Sequence, residues 1–139
     1  MASQRDGRKQ LILCDCLGTQ VIDPDAITSA TSLNCTRVHS ALCTREINKA
    51  TDLLKKGDAI IACQQERHRF EELAVEIQAD MPLFVDLRDR AGWSDDPASK
   101  SPKMAALAAE ALLPATAPKV RDVISEGTCL LIGRGEVCM

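Results

Sequence analysis

The stretch Gln10-Leu11-Ile12-Leu13-Cys14-Asp15-Cys16-Leu17-Gly18 packs an apolar run, two thiols and a turn residue into adjacent positions. A short unbroken apolar run bounded by turn chemistry reads as a strand buried on both faces, the kind found in parallel sheets. Asp23-Pro24 then supplies an N-cap and a first-turn proline for a helix that carries Ile27 and Ala30 inward. The pattern repeats along the chain. Thr36 to Leu42 is the second strand, and Thr44 caps a helix in which Ile47, Ala50 and Leu54 share a face before Gly57 ends it. Asp58 to Cys63, built on Ala-Ile-Ile-Ala, is the third strand. The helix after it has the clearest periodicity, with Phe70, Leu73, Ala74 and Ile77 at i, i+3, i+4 and i+7 and Glu71, Glu72 and Glu76 opposite. Pro82 to Leu87 forms a fourth strand, a polar loop runs from Arg88 to Lys100, and Ser101-Pro102 opens a helix with Met104, Leu107, Ala108, Ala111 and Leu112 inward. Alternation of this kind implies right-handed crossovers and a parallel sheet covered on both faces. The expected architecture is a small three-layer α/β fold with four strands in the order 2-1-3-4.

Composition bounds the function. The 139 residues suffice for one domain with a real core and not for two. Residues 1–9 read as a loose polar N-terminus, 10–113 as the α/β domain, 114–127 as a linker and 128–139 as an extra strand or the start of another unit. A net charge of −3, one Trp, two Phe and no Tyr exclude the basic stripe with stacking aromatics that nucleic-acid binding requires. No apolar run approaches the roughly 20 residues of a membrane span, and the N-terminus lacks a signal peptide's apolar segment. A cytoplasmic location follows as the expectation. Thiols are kept reduced there, so seven Cys point to metal binding or redox chemistry before disulfides.

The strand order decides which cysteines meet. With order 2-1-3-4, the carboxyl ends of strands one to three lie side by side, at the edge where open α/β sheets hold ligands. Cys14, Cys16, Cys43 and Cys63 then converge, whereas Cys35 starts strand two at the opposite edge. Any one of these cysteines alone would read as a small buried hydrophobe, and only the set carries weight. Each following helix aims its N-terminus at the same crevice, where partial positive charge and free amides favour thiolates and cluster sulfurs. Four thiolates suffice for a 4Fe-4S or a 2Fe-2S centre, although the spacing is not the C-x-x-C series of bacterial ferredoxins. A tetrahedral zinc site and a thiol redox pair remain open alternatives.

Cys-Asp-Cys-Leu-Gly after strand one, Leu42-Cys43-Thr44, the stretch Ala59 to Phe70 and the stretch Phe84 to Trp93 resemble, in order, the N-terminal domain of the flavin-bearing subunit of heterodisulfide reductase. The likeness covers roughly residues 10–113 and extends to alphaproteobacterial multidomain proteins named as 4Fe-4S ferredoxins. It implies a small α/β unit carrying one 4Fe-4S cluster ahead of flavin-binding and ferredoxin-type domains. By this resemblance Cys14 and Cys16 match the paired N-terminal cysteines, Cys43 the cysteine after strand two, Cys63 that of a Cys-Ser-Pro turn, and His68 a histidine opening helix three. Gly92 departs from it, because the family commonly has a cysteine just before Ser-Trp and Ala91-Gly92-Trp93-Ser94 offers none.

Trp93 sits among Arg88, Asp89, Arg90, Asp95 and Asp96, and a sole Trp in a polar loop shields something or forms a contact surface. Trp93 and His68 therefore join the candidate cofactor-binding positions, and the four cysteines are the candidate metal ligands. His39 reads as structural or solvated. Gly133-Arg134-Gly135 resembles the opening of a dinucleotide-binding turn, but Cys138 stands at its third glycine, which suggests an N-terminal fragment of a longer protein. The expected function is an electron-transfer module with no catalytic residues of its own, serving a redox partner protein or downstream flavin or ferredoxin-type domains. The rival readings are a thiol redox or sulfur-carrier domain using Cys14 and Cys16, and a zinc-stabilised or metal-free interaction domain.

Overall fold

A computed structural model describes residues 8–94, 97–114, 120–122, 124 and 127, with the side chains of 97–99 left aside. The segment 128–139, with the Gly133-Arg-Gly135 turn and Cys138, lies outside the described residues, as does most of the expected linker.

Four short parallel strands, β1 (Gln10–Ile12), β2 (Asn34–Cys35), β3 (Ala59–Ile61) and β4 (Leu83–Phe84), form a sheet in the order β2-β1-β3-β4. This is the expected order. The central strand β1 pairs on one side with β2 (Leu11 opposite Cys35) and on the other with β3 (Leu11 opposite Ile60). The helices are α1 (Pro24–Ala30), α2 (Ile47–Leu54), α3 (Arg67–Glu76) and α4 (Pro97–Glu110). No helix among the described residues is long and apolar enough to cross a membrane.

Alternation along the strands divides the core in two. Leu11, Leu13, Ile60, Ala62, Val85 and Leu87 point to one face, where Ile27 of α1 and Met104 and Ala108 of α4 cover them. Ile12, Cys14, Ala59 and Ile61 point to the other face, covered by Ala50, Leu53 and Leu54 of α2 and Phe70 of α3. Cys14 thus shares its face with Ile12, two residues earlier. Cys35, opposite Leu11, packs on the α1/α4 face.

Several boundaries differ from the sequence expectation, each for a visible reason. The second strand lies at Asn34–Cys35, before the expected Thr36 to Leu42, and the ladder breaks at Thr36, whose hydroxyl Oγ1 accepts the hydrogen bond from Leu13 N at 3.1 Å in place of a backbone carbonyl. The ladder resumes for one step at the Cys14–His39 bridge, with Asp15 N donating to His39 O at 2.8 Å. Asp23 caps α1 as expected, its carboxylate accepting from Ala26 N at 3.0 Å. Ala30 is exposed instead of buried, since Thr31 bonds back to Ile27 O and stops the helix there. Residues 42–46 form turns and α2 begins after Glu46, so Thr44 does not cap it. The polar loop contains a π-helical turn at Arg88–Gly92, and α4 opens at Pro97 with Pro102 inside it.

His39 is buried, and its Nδ1 lies 3.2 Å from Glu46 Oε2. Burial, partly offset by Glu46, lowers its pKa below 6.5, so the folded chain holds this proton less tightly than the unfolded chain. That stabilisation is complete above 6.5 and is lost as pH falls through the lowered value. Lys49 first, and then Ser40 N and His39, bring the Glu46 pKa from 4.5 down to about 2, so its contribution is present above 4.5 and disappears toward 2. Urea unfolding across this range should show stability falling on acidification in two limbs, with Glu46→Gln flattening the limb below 4.5. A Glu46→Gln profile that parallels wild type there would contradict the assignment.

Candidate metal and thiol site

At the carboxyl edge of the sheet, each of the first three strands turns toward a helix and leaves a cysteine in the turn. After Cys14 the chain departs with three residues in a row in the left-handed region, Cys16 (φ 53°), Leu17 (φ 63°) and Gly18 (φ 79°). A left-handed conformation at a non-glycine residue costs roughly 1–2 kcal/mol, so something must hold this turn. Thr19 Oγ1 donates to Cys16 O at 3.0 Å, Gln20 N to Asp15 O at 3.2 Å, and Gln20 Nε2 to Cys14 O at 2.9 Å.

The next junction uses the same device. Ala41 (φ 52°) turns the chain out of the sheet, and its carbonyl accepts from Thr44 N and Glu46 N at 3.0 and 3.1 Å. Cys43 lies in this turn and packs, partly buried, against the α2/α3 core. At the third junction Cys63 follows β3, and the backbone N–H of Glu66, the residue before α3, donates to its sulfur. A helix N-terminus therefore supplies an amide to a thiol, as the strand-to-helix pattern predicts.

The fourth junction closes the mouth. The π-helical turn places Arg88 so that Nη1 donates to Cys16 Sγ at 3.1 Å and Nη2 to Gln65 Oε1, while Nε pairs with Asp89 at 3.1 Å. The four sulfur-bearing residues Cys14, Cys16, Cys43 and Cys63 line one cavity of about 150 Å³, with Ile61 and Phe70 also in its wall. That volume is below the roughly 300–1,000 Å³ of sites for organic ligands and suits a compact inorganic group.

The electrostatics of the thiols are uneven. Burial raises the Cys63 pKa above its ordinary 9.0 despite the Glu66 amide, and Cys43, Cys14 and Cys16 add to the rise. Burial likewise raises Cys43, with Glu66 as the next cause. All described cysteines are free thiols. Among the described residues no three His, Cys, Asp or Glu side chains are gathered as a ready-made site for a single metal ion. Two sulfurs on one tetrahedral zinc, each ~2.3 Å from it, stand less than about 4 Å apart, a closer gathering than a shared cavity alone provides.

The four cysteines expected to meet line a common cavity. Cys35 does not start strand two at the opposite edge but is the last residue of β2, and it stands apart because it packs on the α1/α4 face, where burial raises its pKa against a hydrogen bond with Thr28. Trp93 is 66% exposed and lies outside the cavity wall; its Nε1 donates to Asp89 Oδ1 at 3.3 Å and its ring lies 5.7 Å from the Arg88 guanidinium. His68 is on the surface of α3, 3.1 Å from Glu72, also outside the cavity wall. Sequence reasoning places Arg88 in a solvated loop and gives Gln20 no role. Proximity to strand one is invisible for Arg88, which reaches Cys16 across 72 positions of chain. No known family's sequence profile matches the chain, and neither a curated protein nor a solved structure matches it.

The raised pKa values predict the behaviour of the metal-free chain. A proton held more tightly when folded contributes stability fully present below pH 9, lost as pH rises through the folded value. Mass-spectrometric iodoacetamide labelling should accordingly show Cys43 and Cys63 reacting slowly at neutral pH, with rates still climbing above pH 9. A plateau below pH 9 would contradict the burial account.

Proposed function

We propose that this chain is an electron-transfer module that holds one 4Fe-4S cluster on Cys14, Cys16, Cys43 and Cys63. The observation that carries this reading is the delivery of four thiols from three successive strand-to-helix turns into one small cavity. The donor set fits: soft sulfur ligands select iron–sulfur clusters, zinc or copper(I), and ligation by separate irons spreads the sulfurs wider than one ion does. When bound, the cluster would supply one-electron chemistry. The likeness of the same cysteine-bearing segments to the N-terminal domain of the heterodisulfide reductase flavin-bearing subunit supports the assignment.

The chain's own residues would prepare and tune the site. Loading requires thiolates, so it releases protons and improves with rising pH, most of all through Cys43 and Cys63. The Glu66 amide on Cys63 and the Arg88 guanidinium on Cys16 place hydrogen-bond donors on two of the four sulfurs. Such donors offset anionic charge and raise a cluster's reduction potential. On this reading the chain has no substrate pocket of its own and works in the cytoplasm with a redox partner protein or appended flavin or ferredoxin-type domains.

One observation favours a second reading. The Arg88–Cys16 contact is also how a protein activates a nucleophilic thiol, which suits a redox or sulfur-carrying pair of Cys14 and Cys16. Anaerobic reconstitution separates the two. The cluster reading expects about four iron and four sulfide per chain with broad absorption near ~400 nm. Cys63→Ser should lose most of this, and Cys35→Ser none. Less than one iron per chain rules the cluster out, and reversible two-electron oxidation of the metal-free thiols would then establish the pair. Tight zinc without iron would point instead to a zinc-stabilised domain. In loaded protein, Arg88→Ala should lower the midpoint potential while leaving the iron content intact.

A further inference from the structure

Gln20 is 5% exposed and belongs to the cavity wall, yet only half of its amide is satisfied. Its Nε2 donates to Cys14 O, a group that can only accept, which fixes the amide's orientation and turns Oε1 the other way. Oε1 there has no hydrogen-bond partner. It points at Gly92, the last residue of the π-helical turn: a Cβ on Gly92 would stand 2.9 Å from Oε1 and 3.3 Å from Gln20 Cβ. Those distances admit a side chain at position 92 only if the Gln20 amide moves aside. The same imaginary Cβ would lie 3.4 Å from Arg88 Cγ, so Gln20 touches the element that carries Arg88 as well as the turn that carries Cys16.

We propose that Gln20 is the positioning residue that sets the Cys16–Arg88 contact, and that Gly92 is glycine because this amide occupies its side-chain space. The inference refines the proposed electron-transfer site by naming what fixes one ligand's hydrogen-bond donor. Its physical content is that of a wedge. The Gln20–Cys14 bond clamps a turn containing two strained non-glycine residues, while the amide's far edge sets how closely the π-helical turn can approach. Gly92 lies outside the left-handed region, so its lack of a side chain answers to this contact and not to its backbone angles.

Hydrogen exchange and guanidinium resonances of the metal-free chain test the wedge without reference to iron, so failure of the cluster reading would show in a different measurement. Gln20→Met fills the same volume but donates nothing; Gly92→Ala pushes the amide away. Each should speed amide exchange at Thr19 and Gln20 by roughly tenfold, the effect of one buried hydrogen bond. Each should also shift the Arg88 guanidinium nitrogen resonances, which loss of general stability alone would not move. Adding Gly92→Ala to Gln20→Ala should cost clearly less than Gly92→Ala alone, since the closest obstruction, Oε1, is gone and only the milder 3.3 Å approach to Cβ remains. Wild-type exchange in Gln20→Met, unmoved Arg88 resonances, or additive effects in the double variant would each overturn the proposal.

Discussion

Pairing of the central strand on both sides is the constraint from which the rest of this structure follows. β1 is three residues long, yet it hydrogen-bonds to β2 and β3 in parallel register and buries side chains on both faces. A strand so placed has to leave the sheet abruptly at its carboxyl end, because its neighbours also turn outward there. The chain meets that demand with left-handed residues at Cys16 and Leu17 and, in the next junction, at Ala41. Backbone strain of this kind costs about 1–3 kcal/mol per residue and gathers where a site must be shaped. Three of the five described non-glycine residues with positive φ line the thiol cavity.

Side-chain alternation then sorts the cysteines. Cys14 follows Ile12 by two residues and Cys63 follows Ile61 by two, so both continue the α2/α3 face, and Cys43 packs on that core as well. Cys35 opposite Leu11 belongs to the other layer. Identical chemistry therefore has different prospects according to parity along a strand: three thiols face a shared cavity with Cys16, and one is a partly buried packing group.

The cavity is finished by polar contacts made at long range. Arg88 caps Cys16 and holds Gln65, and Gln20 sits between the Cys16 turn and the π-helical turn. These contacts are few, and each has a buried or charged partner. Hydrogen bonds to charged groups are worth roughly twice neutral ones, and losing a buried partner costs more than either. The mouth of the cavity consequently depends on individual side chains, unlike the two apolar layers beneath it, where the load is shared.

Much of this was legible from local pattern. Unbroken apolar runs, Asp23-Pro24, Gly57 and the Phe70–Ile77 periodicity are short-range signals, and they were enough for the four-stranded parallel sheet, its order and the cysteines at its carboxyl edge. Boundaries escaped where a side chain replaced backbone chemistry, as Thr36 does opposite Leu13, or where a helix opened one proline earlier than its clearest signal. Sequence by itself determined the layers and the alternation of strands and helices, because periodicity and capping act over a few residues. Only the tertiary structure decided that Arg88 meets Cys16 and that Gln20 fills the space above Gly92, because those contacts join segments about 70 residues apart and arise only after the sheet has brought β1 and the turn beyond β4 to the same edge.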